Sequence, residues 1–245
     1  MTDKKTTQPA PPNRSQIADP MALIPRGLTR LHSWWLRMTY PFASLGRKVS
    51  IHYTCELGKE VAHQISIGND VLIAKDAWLN VVAPEGKTGE PVITIADGCV
   101  IARRCTISAK NGIHFDRNVI LAASVLIMDH NHAYQDVTVS IKDQGITEGG
   151  RIRIGEGTWI GHGAAIVCDK GELVLGRNCV VAANALVSRS FPDYSVIVGN
   201  PARVVKQFDP AKGDWVLGSS RPAEPQMNAK EPVKVPVTPG DPVLV

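Results

Sequence analysis

The stretch Ile154–Ile166, IGEGTWIGHGAAI, carries an apolar residue at its first, seventh and thirteenth positions. The same pattern recurs along the chain, and its six copies begin at Leu45, Ile67, Ile95, Phe115, Ile154 and Leu175. A period of six matches neither the repeat of an α-helix nor the alternation of a single strand. It is the period of a coil made of three short strands, each turning one side chain inward. The repeat therefore predicts an all-β chain wound as a parallel β-helix.

Two further positions of the unit follow a rule. The second position is mostly small: Gly46, Gly68, Ala96, Asp116, Gly155 and Gly176. At the fourth position, five of the six residues are Gly, Asn or Asp, in the series Lys48, Asp70, Gly98, Asn118, Gly157 and Asn178. These residue types best tolerate a turn with positive φ. The alternative, a sandwich of unusually regular strands, explains neither rule, so we expect recurrent corners.

Longer steps between units show where the coil is interrupted. Three hexads account for eighteen residues, whereas Ile67 lies 28 residues before Ile95 and Phe115 lies 39 before Ile154. We expect a loop of about ten residues near 82–91 and a protruding loop at 131–150, where interruption of a solenoid favours a functional role. The predicted organisation is a disordered tail at 1–18, an amphipathic helical cap at 19–44, the β-helix at 45–206 and a Pro-rich disordered tail at 207–245.

The segment before the first unit has a one-sided pattern. An apolar stripe at helical spacing consists of Ile24, Leu28, Leu31, Trp35 and Met38. No acidic residue occurs between Pro20 and Cys55, while Arg26, Arg30, Arg37, Arg47 and Lys48 are basic. Two interpretations stay open: a helix that covers the end of the solenoid, or a basic amphipathic surface for a membrane or an anionic substrate.

Composition excludes several classes of protein. A formal charge of +4 gives no reason to expect nucleic-acid binding. Five cysteines, an odd number without a C-x-x-C pair, argue against a disulfide framework or a zinc site and fit a reducing compartment. No uncharged apolar run is long enough to span a bilayer, and the polar first residues do not form a signal peptide. We expect a cytoplasmic protein, with peripheral contact to the inner face of a membrane through residues 20–42.

Three motifs join the repeats: DHNH at 129–132, WIG at 159–161 and VIVGNPARVVK at 196–206. Together they resemble the left-handed β-helix acyltransferases, most closely the maltose, galactoside and polysaccharide O-acetyltransferase branch. The resemblance covers about residues 45–206. It implies a homotrimer of parallel prisms with active sites between subunits, acetyl-CoA in the groove between two prisms, a histidine as general base, and no metal.

Acetyl transfer from a thioester to a hydroxyl requires that the hydroxyl lose its proton as it attacks, a task that suits imidazole near neutral pH. On the family's pattern His130 falls where the base sits, with Asp129 or a backbone carbonyl as its orienting partner. His132 is the alternative base, or a residue that binds the acceptor.

The resemblance also assigns coenzyme contacts. Trp159 matches a tryptophan that lines the acetyl-CoA channel, and the backbone N–H of His162 matches the group that faces the thioester oxygen. Ala183 matches a small residue beside the pantetheine arm, and Arg189 and Lys206 match basic residues that meet the nucleotide phosphates. Trp159 also has a plainer interpretation as an outward-facing aromatic residue, and Arg189 and Lys206 as solvated charges.

The chain departs from the family where some sugar acetyltransferases place an acceptor-binding asparagine. Ala102 and Arg103 occupy that region, Asn111 is out of register, and Arg103 with Arg104 indicates an acidic acceptor. The maltose-type N-terminal helical domain is also missing, which favours a glycan or a lipid-linked sugar precursor over a free sugar.

Three other functions stay in comparison. N-acetyltransfer to an amino sugar shares the fold and the donor, and a non-catalytic scaffold would keep the solenoid alone. A zinc lyase needs three histidines, two of them several residues apart on one coil, but His130 and His132 are separated by one residue.

Overall fold

The computed structural model describes residues 20–82 and 90–217 of the 245-residue chain. One helix, α1 (Pro20–Thr39), precedes a stack of six coils, each built from three short strands. In chain order the strands are β1 (Ser44–Leu45), β2 (Ser50–Ile51) and β3 (Glu56–Leu57); β4 (Ile65–Ile67), β5 (Leu72–Ile73) and β6 (Trp78–Val81); β7 (Ile93–Ile95), β8 (Val100–Ile101) and β9 (Thr106–Ala109); β10 (Ile113–Phe115), β11 (Ile120–Leu121) and β12 (Leu126–Met128); β13 (Gly149–Ile154), β14 (Trp159–Ile160) and β15 (Ala165–Val167); β16 (Lys170–Leu175), β17 (Val180–Val181) and β18 (Leu186–Val187). Two short 3₁₀ turns cover Ala62–Gln64 and Ile141–Asp143.

The strands pair between coils and not within them. The first strands of all six coils form one parallel sheet, here the first face, and the second and third strands form the second and third faces. Equivalent positions lie directly opposite one another, as Phe115 does to Ile95 and Ile154. The predicted parallel solenoid with a short N-terminal helix is confirmed.

The first position of each hexad places a side chain in the interior from each face of the coil. In the third coil these are Ile95, Ile101 and Ile107, which are at most 1% exposed. Aliphatic side chains of similar size repeat at these positions from coil to coil and form one continuous core. Burial of such side chains is worth roughly 1.5–3 kcal/mol each, so the hexad rule also places the main source of stability.

The corners follow the predicted rule. All six fourth-position residues have positive φ, from 49° at Asn178 to 73° at Gly98, and Lys48 adopts 55°. The small second position has a separate cause, which is close approach between coils. A Cβ atom on Gly155 would lie 2.5 Å from the carbonyl carbon of Gly176 in the next coil.

The long interruption lies between β12 and β13. Its two ends meet where the N–H of Thr147 donates to the carbonyl of Asn131 at 2.7 Å and the N–H of Asn131 donates to the Thr147 hydroxyl at 3.0 Å. We call residues 131–148 the excursion loop, because β13 begins at Gly149. The predicted loop near 82–91 falls largely on residues 83–89, which lie outside the described residues.

The solenoid continues beyond the sixth coil. Strand β19 (Ser195–Val198) pairs in parallel with β17, and the hairpin β20 (Arg203–Asp209) and β21 (Asp214–Leu217) extends the second face. The prediction that the fold ends at Lys206 is therefore wrong for residues 207–217. The exposed edge of β19 offers backbone partners, and Phe208 packs edge-on against Trp215 across the hairpin at 5.7 Å. The predicted tails at 1–18 and 218–245 lie outside the described residues.

Helix α1 contacts the first coil with the side opposite to the apolar stripe. Leu36 is 2% exposed, the Ser33 hydroxyl accepts the N–H of Ile51 at 2.9 Å, and the Arg37 guanidinium donates to the carbonyl of Leu45 at 2.8 Å. The five residues of the stripe stay 45–67% exposed. Within the described part of the chain, no helix is long and apolar enough to cross a bilayer.

Candidate functional site

A buried carboxylate stands at the start of the excursion loop. Asp129 follows β12, is 0% exposed, and accepts three backbone N–H groups, from Lys110 at 2.7 Å and from Asn111 and Gly112 at 2.8 Å. This turn exists because Ile95 lies 20 residues before Phe115, two more than three hexads supply. The extra residues let the chain curl its N–H groups around the carboxylate.

His130 is held by that carboxylate. Its ring is 6% exposed, and Nδ1 lies 3.1 Å from Oδ1 of Asp129. An ionised carboxylate only accepts hydrogen bonds, so Nδ1 is the donor in this contact. No residue of 20–82 or 90–217 forms a hydrogen bond with Nε2, so the pair presents an oriented imidazole with its second nitrogen open to an external group, the arrangement required of a general base.

His132 lies in a different environment. Its side chain is exposed, and its backbone forms an isolated antiparallel bridge with Ile146 across the base of the excursion loop. No hydrogen bond to its ring comes from residues 20–82 or 90–217. The geometry orients His130 and not His132, so the role of His132 stays a prediction.

Two side chains that the repeat pattern did not single out connect the excursion loop to this turn. The Lys110 ammonium donates to the carbonyl of Thr147, and the Asn111 amide donates to the carbonyl of Glu148 at 2.8 Å. Asn111 thus has a structural role, although its register with the family's asparagine fails. The signal available in the sequence was the two-residue surplus before Phe115.

A row of outward side chains leads from Trp159 to Lys206 on the second face. Trp159 is 45% exposed and lies opposite Val180, which lies opposite Val196, which lies opposite Lys206. Three strand spacings separate the ends of this row, about 14 Å. Trp159 and Lys206, far apart in sequence, therefore belong to one strip of surface parallel to the solenoid axis.

His162 and Ala183 lie beside this row, at the turn between the second and third strands of successive coils. We call this column the His162 corner. The N–H of Asn184 donates to the carbonyl of His162 at 2.9 Å, which stacks the two turns directly. The N–H of His162 donates no hydrogen bond within the described part of the chain. It is available to an external acceptor, and Ala183 leaves the adjacent surface open.

One chain does not bring all the predicted residues together. Gly163 N–H bonds the carbonyl of Ala123, so Ala123 continues the His162 corner in the fourth coil. Seven residues and the width of the third face separate Ala123 from His130, roughly 20 Å of chain. Arg189 follows β18 at the far edge of that face, with its guanidinium 5.3 Å from the Phe191 ring centroid, and is remote from Lys206.

The described residues hold no group of three His, Cys, Asp or Glu side chains close enough to share a metal ion. No protein-family model matches the chain.

Several curated proteins are similar in sequence, and two of them show the range. A probable acetyltransferase from Mycobacterium tuberculosis is 36% identical over 181 residues, which cover 74% of this chain and 54% of that protein. WbbJ from Escherichia coli, named as a candidate O-acetyl transferase of lipopolysaccharide biosynthesis, is 27% identical over 52% of this chain and 66% of its own length. The matched part of the chain thus spans 54% of the length of the first relative and 66% of the length of the second.

Among solved structures, AntD from Bacillus cereus, an N-acyltransferase crystallised with dTDP and coenzyme A, matches 73% of this chain and 89% of its own, with a TM-score of 0.57 and 21% identity. The chain has the left-handed parallel β-helix fold, as predicted, and it is similar in sequence to acetyltransferases. At 21% identity the likeness to AntD concerns the fold alone. The sequence similarity to the Mycobacterium protein covers 181 residues and therefore includes most of the β-helix.

Proposed function

We propose that the protein is an acetyl-CoA-dependent acetyltransferase that transfers an acetyl group to a sugar hydroxyl, with His130 as the general base. The observation that carries the proposal is the buried Asp129–His130 pair, in which Nδ1 lies 3.1 Å from the carboxylate and Nε2 has no hydrogen bond to any described residue. Acetyl-CoA is the co-substrate, and the acceptor is a glycan or a lipid-linked sugar precursor.

In the proposed reaction, Nε2 of His130 takes the proton of the acceptor hydroxyl as its oxygen attacks the thioester carbonyl. The N–H of His162 donates to the oxyanion of the tetrahedral intermediate. The intermediate collapses by breaking the C–S bond, and the imidazolium returns the proton to the leaving thiolate of coenzyme A. Asp129 stabilises the imidazolium while it exists, and no covalent enzyme intermediate is required.

The separation of His130 from the His162 corner supports a site that is shared between two copies of the chain. In a homotrimer of parallel solenoids, equal coils lie at equal heights, so His130 of one copy faces the level of Ala123 in the next. That level lies one coil from His162, about 5 Å along the axis. The proposed site therefore uses the base of one subunit and the coenzyme surface of its neighbour.

Coenzyme A would lie along the His162 corner, with its thioester at His162 and its phosphates toward Lys206. Arg189 lies too far from Lys206 to contact the same phosphates within one chain. We propose it as a second phosphate contact that the third face of the neighbouring copy supplies. The direct test is calorimetric titration of the purified protein with coenzyme A, which we expect to give micromolar affinity that added zinc leaves unchanged.

Ala183→Phe should weaken that affinity about tenfold or more, because the ring fills the space proposed for the pantetheine arm. Lys75→Phe is the matched control, since Lys75 occupies the same corner position in the second coil and is also exposed. Equal affinities in both variants and in the wild type would remove the coenzyme from this corner.

The acceptor would extend along the same corner in the opposite direction. Arg103 lies two coils before His162, about 10 Å away along the axis, because the N–H of Ser124 bonds its carbonyl and Ala123 separates the two levels. Arg103 and Arg104 are both exposed. This placement supports an acceptor that carries an anionic group near the sugar.

Arg103→Ala/Arg104→Ala should raise the acceptor KM about tenfold or more for a sugar phosphate, since a hydrogen bond to a charged group is worth roughly 1.5–3 kcal/mol. The same sugar without its phosphate should show little change. Arg117→Ala, at an exposed arginine paired with Glu156 at 3.2 Å, is the control. An equal rise in KM for both acceptors would argue against recognition of the anion.

A separate comparison distinguishes the two transfer reactions. Faster transfer to an amino sugar than to the corresponding hydroxyl sugar would favour N-acetylation.

A peripheral location at a membrane completes the proposal, because a lipid-linked acceptor is met at a bilayer surface. The contact would be made by residues 20–42.

A further inference from the structure

The surface of α1 is unlike the rest of the molecule. Seven large apolar side chains of this helix are 45–67% exposed, namely Leu23, Ile24, Leu28, Leu31, Trp34, Trp35 and Met38. At about 100° per residue they cover an arc of roughly 140°. The arc faces away from the solenoid, since Ser33 and Leu36 on the other side make the contacts with the first coil.

Basic residues border this arc on one side. Arg26, Arg30 and Arg37 fall between the apolar arc and the side that contacts the solenoid, and all three are exposed, although the Arg37 guanidinium also donates to the carbonyls of Leu45 and Gly46. Between Pro20 and Cys55 the sequence contains no Asp or Glu. The surface is therefore apolar in its centre and positively charged at its edge.

We propose that α1 binds the surface of a bilayer that contains anionic lipids, with its axis in the plane of the interface and the apolar arc in the acyl region. Helices of this composition lie in that plane, with Trp and Leu below the headgroups and arginines among them. The helix has 20 residues and is about 30 Å long, and it presents its apolar side chains from Leu23 to Met38 to the lipid because the solenoid lies on the opposite side. The inference does not depend on the acetyl-transfer chemistry.

Charge favours lipid over a second copy of the chain as the occupant. A face of the same protein that covered the arc would have to supply an acidic partner for Arg30 at its edge. The first coil beside α1 adds the basic residues Arg47 and Lys48, and Lys48 already pairs with Asp70 at 3.5 Å. In an anionic bilayer, the acyl region accommodates the apolar centre of this surface, and the headgroups pair with its basic edge.

The test is cosedimentation of the full chain with vesicles of phosphatidylglycerol and phosphatidylcholine, compared with vesicles of phosphatidylcholine alone. We expect binding to the anionic vesicles, weakened by salt and reduced roughly fivefold by Arg30→Gln. Leu31→Gln/Trp34→Gln should lower the affinity at least tenfold, since both side chains are about 60% exposed and point away from the solenoid. Glutamine keeps good helix propensity.

Leu217→Gln is the matched control, because Leu217 is 83% exposed at the opposite end of the stack and should bind vesicles like the wild type. Circular dichroism and thermal unfolding should be the same for all variants. Failure of the wild type to bind anionic vesicles would overturn the proposal, as would unchanged binding of Leu31→Gln/Trp34→Gln. A smaller oligomer for that variant, measured by light scattering without any vesicle binding, would assign the arc to a contact between copies instead. Coenzyme A affinity, measured in parallel, reports separately on the transfer site.

Discussion

His130→Ala should lower kcat by about 10²–10⁴-fold and leave the affinity for coenzyme A nearly unchanged. The variant loses Nε2, the ring nitrogen that is proposed to take the proton of the acceptor hydroxyl. Steady-state kinetics with saturating acetyl-CoA measure the loss, and calorimetry measures the retained affinity. The fold should persist, because Asp129 keeps its three backbone donors when the imidazole is removed.

His132→Ala is the matched control, since His132 is exposed two residues further along the same loop. Its kcat should stay within a few-fold of the wild type. A large loss in His132→Ala together with near-normal turnover in His130→Ala would reverse the assignment of the base. Mixing His130→Ala with Ala183→Phe after subunit exchange should restore activity, because one chain then supplies the base and the other the coenzyme surface. No recovery on mixing would place the whole site within a single copy.

Asp129→Ala should destabilise the protein by about 3 kcal/mol or more and also lower kcat. The three N–H groups of residues 110–112 lose their common acceptor, and each such group costs roughly 1–3 kcal/mol if it stays buried and unpaired. The imidazole loses its orienting partner in the same step. Denaturant unfolding followed by circular dichroism measures the stability.

The matched control is Asp136→Ala at the tip of the excursion loop. Asp136 also accepts a backbone N–H, from Thr138 at 2.9 Å, but it is exposed. Hydrogen bonding to Thr138 lowers the pKa of Asp136, but because this carboxylate is exposed, the loss of stability in Asp136→Ala should be much smaller than in Asp129→Ala. Equal stabilities for Asp129→Ala and the wild type would contradict the anchoring role of Asp129.

The architecture was predictable because its signal is local and repeated. Each hexad reports one inward side chain and one corner, so Ile95, Ile101 and Ile107 could be assigned to the core before any contact was known. The corner rule extended even to Lys48, a residue type with no preference for positive φ, because its neighbours in the stack impose that conformation.

The candidate site was only partly predictable. Asp129 and His130 are adjacent in the chain, so their contact follows from the motif. The turn at 110–112 and the pairing of Trp159 with Lys206 depend on which coil lies above which, and that register is a property of the stack. The hairpin at 207–217 was not predicted because the Pro-rich composition of the following residues made the whole C-terminal segment look disordered. The packing of Phe208 against Trp215 stabilises the hairpin, but this contact is visible only in the folded chain.

The order of the coils also decides how the molecule comes apart. In a solenoid each repeat contacts only its neighbours, and a terminal repeat has one neighbour where an internal repeat has two, so unfolding begins at the ends and proceeds inward coil by coil. One end carries α1 and the other the β20–β21 hairpin. The coil that ends in Asp129 and His130 is the fourth of six, so fraying must remove at least two whole coils before it reaches them. Amide hydrogen exchange should therefore be slowest in the coil that carries Asp129 and His130, and fastest at the two ends of the stack, in α1 and in the β20–β21 hairpin.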